Sequence, residues 1–344
     1  MNMAWKEIVK NKVRFLILGS IIFLVSLLTF IISGLANGLS QDNASLIKDL
    51  PNGTFYMAEE VNNSFPLSRI DKPLLKEITE EHPEAVAFSI QMGFIHDESD
   101  QQQSIAFVAA TDSSLFKQVN PGEIILDRSL TEKEIKIGDK LTNSQFAGTW
   151  GVKRFVDQKK YSHAPVAYIS LEDYEAIYQT NTMQLVFIPG DDISQEYAGL
   201  HSFSKNDFLK SLPSYSAEQT SLNMIVWFLI VISGMLFAIF FYMMNVQKID
   251  MYGILKAIGV KTSTLFQMMW TQMLVITCIA LAISVMCSQL FAVLAPEGMP
   301  FHLTLSSVGK LAIIFVVIGL IGATLSGLQI KRIEPLQAIQ QGGK

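Results

Sequence analysis

Four long stretches that are almost free of charge constrain this chain more than any other feature. Residues 15–36, 222–246 and 265–295 contain no Asp, Glu, Lys or Arg, and residues 308–330 contain only Lys310. A helix rises about 1.5 Å per residue, so each run is long enough to cross a bilayer. The sequence therefore predicts an α-helical membrane protein with four transmembrane helices, one followed after a long gap by three.

The distribution of charge predicts which parts face the cytoplasm. Residues 38–218 carry 27 acidic and 15 basic side chains, a net charge of −12, whereas the rest of the chain has a net charge of +7. Basic segments next to spans stay in the cytoplasm. The acidic region between the first two spans is thus expected outside, and it is not a nucleic-acid-binding surface.

These two patterns together predict the domain organisation. The predicted segments are a cytoplasmic amphipathic helix (1–14), the first span (15–36), an extracytoplasmic α+β domain (37–217), the second span (222–246), a cytoplasmic coupling segment (247–264), the third span (265–295), an outer loop (296–307), the fourth span (308–330) and a cytoplasmic tail (331–344). A signal peptide is the alternative for the first run, but its apolar core would be only about 7 to 15 residues long.

A mix of short strand-like runs and helix-like segments predicts one compact α+β domain between the first two spans. The predicted strands are Thr54–Ala58, Ala87–Phe94, Ser104–Ala110, Glu123–Leu126, Gly151–Val156, Val166–Ser170 and Met183–Ile188. The predicted helices are Lys72–Glu81, Ser129–Lys133, Leu171–Tyr178 and Lys205–Leu212, with residues 38–50 as a helical continuation of the first span.

Motifs of enzyme chemistry are missing from the sequence. It contains no phosphate-binding glycine loop followed by Lys-Ser/Thr, no His-Glu-x-x-His and no Gly-x-Ser-x-Gly. Its two cysteines, Cys278 and Cys287, lie in an apolar run, and its five histidines are scattered over the acidic region and the outer loop. We expect no catalytic residue, no metal site and no intrinsic cofactor. Nearly uncharged spans also argue against a proton-coupled transporter.

The coupling segment has the composition of a short amphipathic helix. Its three lysines are opposed only by Asp250, and Ile254, Leu255 and Ile258 recur at helical spacing. Gly259 is placed to end the helix. Such a helix either docks to a soluble partner through its apolar side chains or lies on the lipid surface as an extension of a span.

The residues of this segment, KIDMYGILKAIGVKTSTL, resemble the coupling region of the MacB/FtsX-type (type VII) ABC transporter permeases. The family pattern is roughly Glu-x-Gly-x-Leu-Lys/Arg-Ala-Ile-Gly, and this chain departs from it at the acidic position. The tail GLQIKRIEPLQAI at 327–339 and the start AWKEIVKNKVRFLI resemble the family's ends. A narrower resemblance, to haem-exporter permeases of Gram-positive bacteria, rests on residues 32–50, 214–224 and 299–304.

The resemblance implies a function for the whole chain. Such a permease is a multi-pass plasma-membrane protein that works as a homodimer with two copies of a separate ATPase. The ATPase binds the ATP, and rigid spans act as levers that expel an amphiphilic cargo, here haem, from the membrane. It implies coupling to the ATPase through one set of residues: Lys248, Tyr252, Ile254, Leu255, Ala257, Ile258 and Gly259.

A haem site is predicted where the second span leaves the membrane. Tyr215, Glu218 and Met224 offer ligand atoms there, and Leu27 and Phe30 would form apolar walls. Alternatively, Tyr215 and Glu218 simply lie at headgroup level.

Two other functions stay open at this stage. One is export of a peptide, an antibiotic or another amphiphile. The other is an FtsX-like transmitter that activates a cell-wall hydrolase, which would need an exposed apolar patch. Phe94, Phe107 and Trp150 are its candidates, and each could equally belong to the core.

Overall fold

A computed structural model describes residues 2–61, 64–190, 195–296 and 299–331. The chain forms two compact units. The membrane unit comprises Met1–Gly38 and Ser221–Lys344, and the outer domain comprises Leu39–Thr220. The architecture is therefore four apolar helices with one α+β domain inserted between the first and the second of them.

Nine α-helices occur in the described residues. They are α1 (Asn2–Lys10), α2 (Lys12–Lys48), α3 (Lys72–Glu81), α4 (Leu171–Tyr178), α5 (Lys205–Ser211), α6 (Pro213–Val246), α7 (Ile249–Ala257), α8 (Thr262–Leu294) and α9 (Leu305–Lys331). Four of them, α2, α6, α8 and α9, are long and apolar enough to cross a membrane. Helices α2 and α6 each run from the membrane unit into the outer domain, and α2 is interrupted only by non-helical backbone angles at Ala44.

Helices α8 and α9 both begin earlier than the predicted spans. Helix α8 already begins at Thr262, inside the predicted coupling segment, because a single extended residue, Lys261, is enough to start it. Helix α9 begins at Leu305, so the outer loop is shorter than predicted. Apart from Lys331, the predicted tail 331–344 lies outside the described residues.

Small residues allow the helices of the membrane unit to pack closely. A Cβ atom added at Gly322 would lie 3.1 Å from the backbone nitrogen of Ala238, and one at Gly327 would lie 2.7 Å from Cε of Met269. Ala323, between them on α9, is fully buried. Such contacts, more than hydrophobic burial, hold helices together in lipid. The helices α6, α8 and α9 therefore meet along the small-residue stripe of α9.

The outer domain is built on one ten-stranded sheet. Its strands are β1 (Gly53–Ala58), β2 (Val86–His96), β3 (Gln102–Ala110), β4 (Glu123–Asp127), β5 (Lys140–Asn143), β6 (Phe146–Val156), β7 (Lys160–Tyr161), β8 (Ala164–Tyr168), β9 (Leu185–Pro189) and β10 (Leu200–Ser204). Their order is β10-β1-β9-β2-β3-β8-β4-β6-β5, with β7 paired to β8. Only the β3–β8 and β4–β6 pairs are parallel.

Both faces of the sheet are covered, because apolar side chains occupy successive positions of the central strands. On β1, Phe55 points into one core, where its ring stacks on Phe208 of α5 at 4.4 Å between centroids. The next residue, Tyr56, points into a second core, where it meets Tyr197 edge to face. Helices and loops on each side therefore shield the sheet from water.

The predicted elements of this domain are present with modest changes. Residues 129–133 lie in a 3₁₀ helix, not an α-helix, and the predicted strand Val166–Ser170 ends at Tyr168 because the Ser170 side chain caps α4. Met183 forms an isolated bridge with Ile70 before β9 begins. Three short strands, β5, β7 and β10, were not predicted, because they are short and largely polar.

Candidate functional site

Gly259 ends the coupling helix α7 as predicted. Its φ of +91° lies in the left-handed region, and the Val260 nitrogen donates to the Leu255 carbonyl at 2.9 Å, closing a Schellman-type turn. Among the described residues, no atom apart from those of Gly259 and its immediate surroundings in the chain lies within 4 Å of the position a Cβ would take there. Backbone conformation, not space, is therefore what requires glycine.

One face of the segment around α7 exposes apolar side chains. Ile254 is 53% exposed and Ile258, at the helix end, is 72% exposed, and the two are one turn apart. Ala257 and Gly259 are exposed beside them. These four residues form the exposed face of the coupling segment.

The opposite face is held by a buried polar network. The Tyr252 hydroxyl donates to Oδ1 of Asn245 at 3.3 Å, and Nδ2 of Asn245 donates to the Ser326 hydroxyl at 2.8 Å. All three side chains are buried. The network thus connects α7 with the inner ends of α6 and α9.

Three residues of the predicted coupling set are buried or half-buried. Tyr252 is 1% exposed, Lys248 is 6% exposed and forms an ion pair with Glu7 of α1, and Leu255 is half-buried against the core of the membrane unit. Side chains in such positions do not reach a partner that docks on the surface. The directly accessible part of the set is Ile254, Ala257, Ile258 and Gly259.

In the predicted haem site, Glu218 lies beside a histidine. Nε2 of His163, in the turn between β7 and β8, is 2.7 Å from Oε1 of Glu218. The other carboxylate oxygen, Oε2, is buried and makes no hydrogen bond within the part of the chain that the structure describes. His163 was overlooked in the sequence because 55 residues separate the pair.

The remaining residues of the predicted site have separate surroundings. The Tyr215 hydroxyl accepts a hydrogen bond from Ser40 at 3.3 Å, and its ring packs against the core of the outer domain. Met224 belongs to the membrane unit and is 55% exposed. Phe30 is fully buried within the membrane unit, with its ring 6.5 Å from that of Phe315. Its ring therefore contacts other residues of the membrane unit and is not exposed at the surface of the chain.

Charged side chains hold the end of α2 within the outer domain. Lys160 of β7 pairs with Asp42 at 2.7 Å, and Lys159 pairs with Asp49 at 2.7 Å. Nζ of Lys205 donates to the carbonyl oxygens of Lys48, at 2.6 Å, and of Leu50. Burial lowers the pKa of the Lys205 ammonium. The lysine satisfies carbonyl groups that the end of α2 leaves without helical partners.

The candidate docking patch of the outer domain is reduced to one of its three residues. Phe107 and Trp150 are fully buried in the core, whereas Phe94 is 49% exposed. Met92, two positions earlier on β2 and thus on the same face, is exposed as well.

Comparisons with known proteins agree with the geometry of the membrane unit. Residues 223–335 match the family described as FtsX-like permease C-terminal. This segment contains all of α7, α8 and α9 and most of α6.

Two relatives match the chain over its whole length. A Staphylococcus haemolyticus protein named hemin transport system permease protein HrtB is 28% identical, with 98% of this chain and 99% of the relative covered. A Staphylococcus epidermidis protein of the same name is 29% identical, with 99% and 100% covered.

Two solved structures are similar to part of the chain. The periplasmic region of MacB from Actinobacillus actinomycetemcomitans has a TM-score of 0.36 at 7% identity, covering 47% of this chain and 92% of its own. The extracellular domain of the transporter YknZ from Gram-positive bacteria has a TM-score of 0.32 at 10% identity, covering 42% and 85%. The resemblance indicated by the motifs agrees with the sequence comparisons: the chain is a multi-pass cell-membrane protein whose residues 223–335 match the FtsX-like permease family, and it is similar along its length to permeases named for hemin transport.

Proposed function

We propose that this chain is the membrane subunit of an ABC exporter that expels haem from the membrane, driven by ATP hydrolysis in a separate ATPase. The full-length similarity to permeases named for hemin transport is the observation that carries the proposal. In the proposed assembly two copies of the chain pair in the lipid bilayer and each binds one ATPase. The chain itself catalyses no reaction.

The coupling helix supports the part of the proposal that concerns the ATPase. Exposed Ile254 and Ile258 form an apolar ridge, while Tyr252 fixes the helix from behind. A partner that seats on the ridge can thus move the spans attached to α7. Helices in an apolar groove are a common mode of docking.

The long helices support transmission by levers. Helix α2 has 37 residues and α6 has 34, and both pass from the membrane unit into the outer domain. A helix of that length is about 50 Å long. Movement of their inner ends is therefore carried along the helices to the outer domain, without a water-filled path between the largely apolar spans.

The haem site is proposed at Tyr215, Glu218 and Met224. One carboxylate oxygen of Glu218 is buried and makes no hydrogen bond among the described residues. This oxygen is therefore able to bind a ligand. The Met224 side chain is exposed, so a ligand can reach it. Imidazole, phenol and thioether groups all ligate haem iron, so His163 beside Glu218 joins the candidate ligands.

Haem absorbance of the purified chain tests the cargo. The wild type should take up haem and show a Soret band, which Glu218→Ala and Met224→Ala should weaken or shift. Cells with these variants should become sensitive to haem. Glu98→Ala, on an exposed turn of the outer domain, is the matched control and should change neither. A wild type that takes up no haem would contradict the cargo assignment.

A second function is favoured by the exposed pair Met92 and Phe94. A transmitter that activates a cell-wall hydrolase needs an apolar surface outside the membrane, and these side chains on β2 offer one. Met92→Ser with Phe94→Ser should abolish hydrolase activation if that function holds. The same variant should protect cells from haem normally if the chain is a haem exporter.

A further inference from the structure

A buried ion pair joins the N-terminal helix to the coupling segment. Lys248, the residue that precedes α7, forms an ion pair with Oε1 of Glu7 on α1. The other carboxylate oxygen of Glu7 accepts a hydrogen bond from Nε2 of Gln272 on α8 at 2.6 Å. The side chains of Lys248 and Glu7 are only 7% and 11% exposed. Three elements of the membrane unit therefore meet at one carboxylate.

The environment of this ion pair makes its two charges depend on each other. The Lys248 ammonium also lies 5.3 Å from the centroid of the Phe15 ring on α2, a cation–π distance. A charge removed from water is tolerated when it is paired and hydrogen-bonded, and an unpaired one is strongly unfavourable. Buried ionisable groups in membrane proteins are rare and commonly functional.

The position of Lys248 in the chain relates the pair to α7. The Lys248 carbonyl accepts the first helical hydrogen bond, from the Tyr252 nitrogen at 2.9 Å. Fixing Lys248 therefore fixes where α7 begins and how it is oriented. The Tyr252 network with Asn245 and Ser326 holds the same helix to α6 and α9, so the ion pair supplies the connection to α1 and α8.

We propose that Glu7 and Lys248 are positioning residues that couple α7 to α1, so that a push on the exposed face of the coupling segment moves the N-terminal helix together with the spans. This inference rests on the proposed coupling to an ATPase. It assigns to Lys248 a role behind the docking surface, and it gives Glu7 a function that no sequence motif indicated.

A charge-exchange series in the assembled complex with the ATPase tests the proposal. Glu7→Lys and Lys248→Glu should each still copurify with the ATPase but reduce its stimulation by the permease about tenfold, the upper range for changes along a coupling path. The double variant Glu7→Lys with Lys248→Glu restores opposite charges and should recover most of the stimulation. Lys10→Glu, an exposed charge on the same helix α1, is the control and should leave stimulation unchanged.

The outcomes separate this inference from the proposed function. A wild-type chain that fails to stimulate the ATPase contradicts the function, whereas normal stimulation by both single variants contradicts only the ion-pair inference. Loss of copurification in Lys248→Glu alone would show that Lys248 touches the ATPase directly. If a reversed charge prevents the protein from accumulating, Glu7→Gln, which keeps the shape and hydrogen-bonding reach of the side chain, replaces it in the same assay.

Discussion

Ion pairs hold helix ends in both units, but their surroundings differ. In the outer domain, Lys160 and Asp42 pair with 21% and 26% of their side chains exposed, whereas Lys248 and Glu7 in the membrane unit are almost fully buried. Partly exposed pairs contribute little to stability, because water competes for both charges. A buried pair makes each partner dependent on the other. The same kind of ion pair therefore adds little stability to the outer domain. In the membrane unit it makes stability sensitive to the loss of either charge.

We expect the largest loss of stability when one charge is removed from the buried pair. Glu7→Ala leaves the Lys248 ammonium without its carboxylate, so we expect the membrane unit to lose about 3–5 kcal/mol of stability. Thermal unfolding of the purified protein in detergent measures the loss. The matched control is Lys10→Ala, which removes an exposed charge from the same helix. If both variants lost equally little stability, the two buried charges would not depend on each other.

A substitution that disturbs only the backbone conformation at the end of α7 tests the coupling segment without changing any charge. Gly259→Val places a β-branched side chain at a φ of +91°, which should cost about 1–3 kcal/mol and displace the end of α7. We expect less stimulation of the ATPase with normal membrane insertion. Gly309→Val is the control, since Gly309 also has open space around it but lies in helix α9. Full stimulation by Gly259→Val would rule out a functional role for this helix end.

The exposed pair should respond much less. Asp42→Asn removes the partner of Lys160 in the outer domain, and we expect a loss of about 0–1 kcal/mol that shrinks as salt is added. Urea unfolding at low and high ionic strength measures both effects. A loss as large as that of Glu7→Ala would remove the distinction between the two regions.

The smallest expected effect concerns pH. A hydrogen bond with Gln195, followed by one with Glu84, raises the pKa of His82. The stabilisation from this histidine is therefore fully present below its unfolded pKa, near 6.5, and is lost as pH rises through its folded pKa. Over that pH range we expect the outer domain of the wild type to lose a little stability. In His82→Gln this pH-dependent loss should be missing. An identical pH profile in both would contradict the assignment.

The sequence predicted the spans and most of the sheet, because both depend on local patterns. Uncharged runs identify membrane helices whatever their partners, and short, largely apolar runs along β1 to β3 identify strands. The helix end at Gly259 was also predictable, because only glycine adopts its φ easily.

The contacts around the candidate sites were much less predictable. Lys248 looked like a surface charge, since no local pattern shows that Glu7 buries it. Phe30 looked like a ligand wall, because an apolar span does not reveal which side faces Phe315. His163 and Glu218 meet only through the folded domain. Such pairings follow from tertiary packing, which a single sequence does not show.

The connection between Glu7 and α8 also bears on how the protein is made. Glu7 is synthesised well before its partner Gln272, which follows 265 residues later in the chain. Chains begin to fold from the N-terminus during synthesis, but contacts between distant residues must wait for both. Helix α1 thus stays without its buried partners until the third span has been inserted. Formation of the hydrogen bond between Gln272 and Glu7 is therefore a late step of biogenesis. It indicates that the coupling segment of the membrane unit has reached its final position.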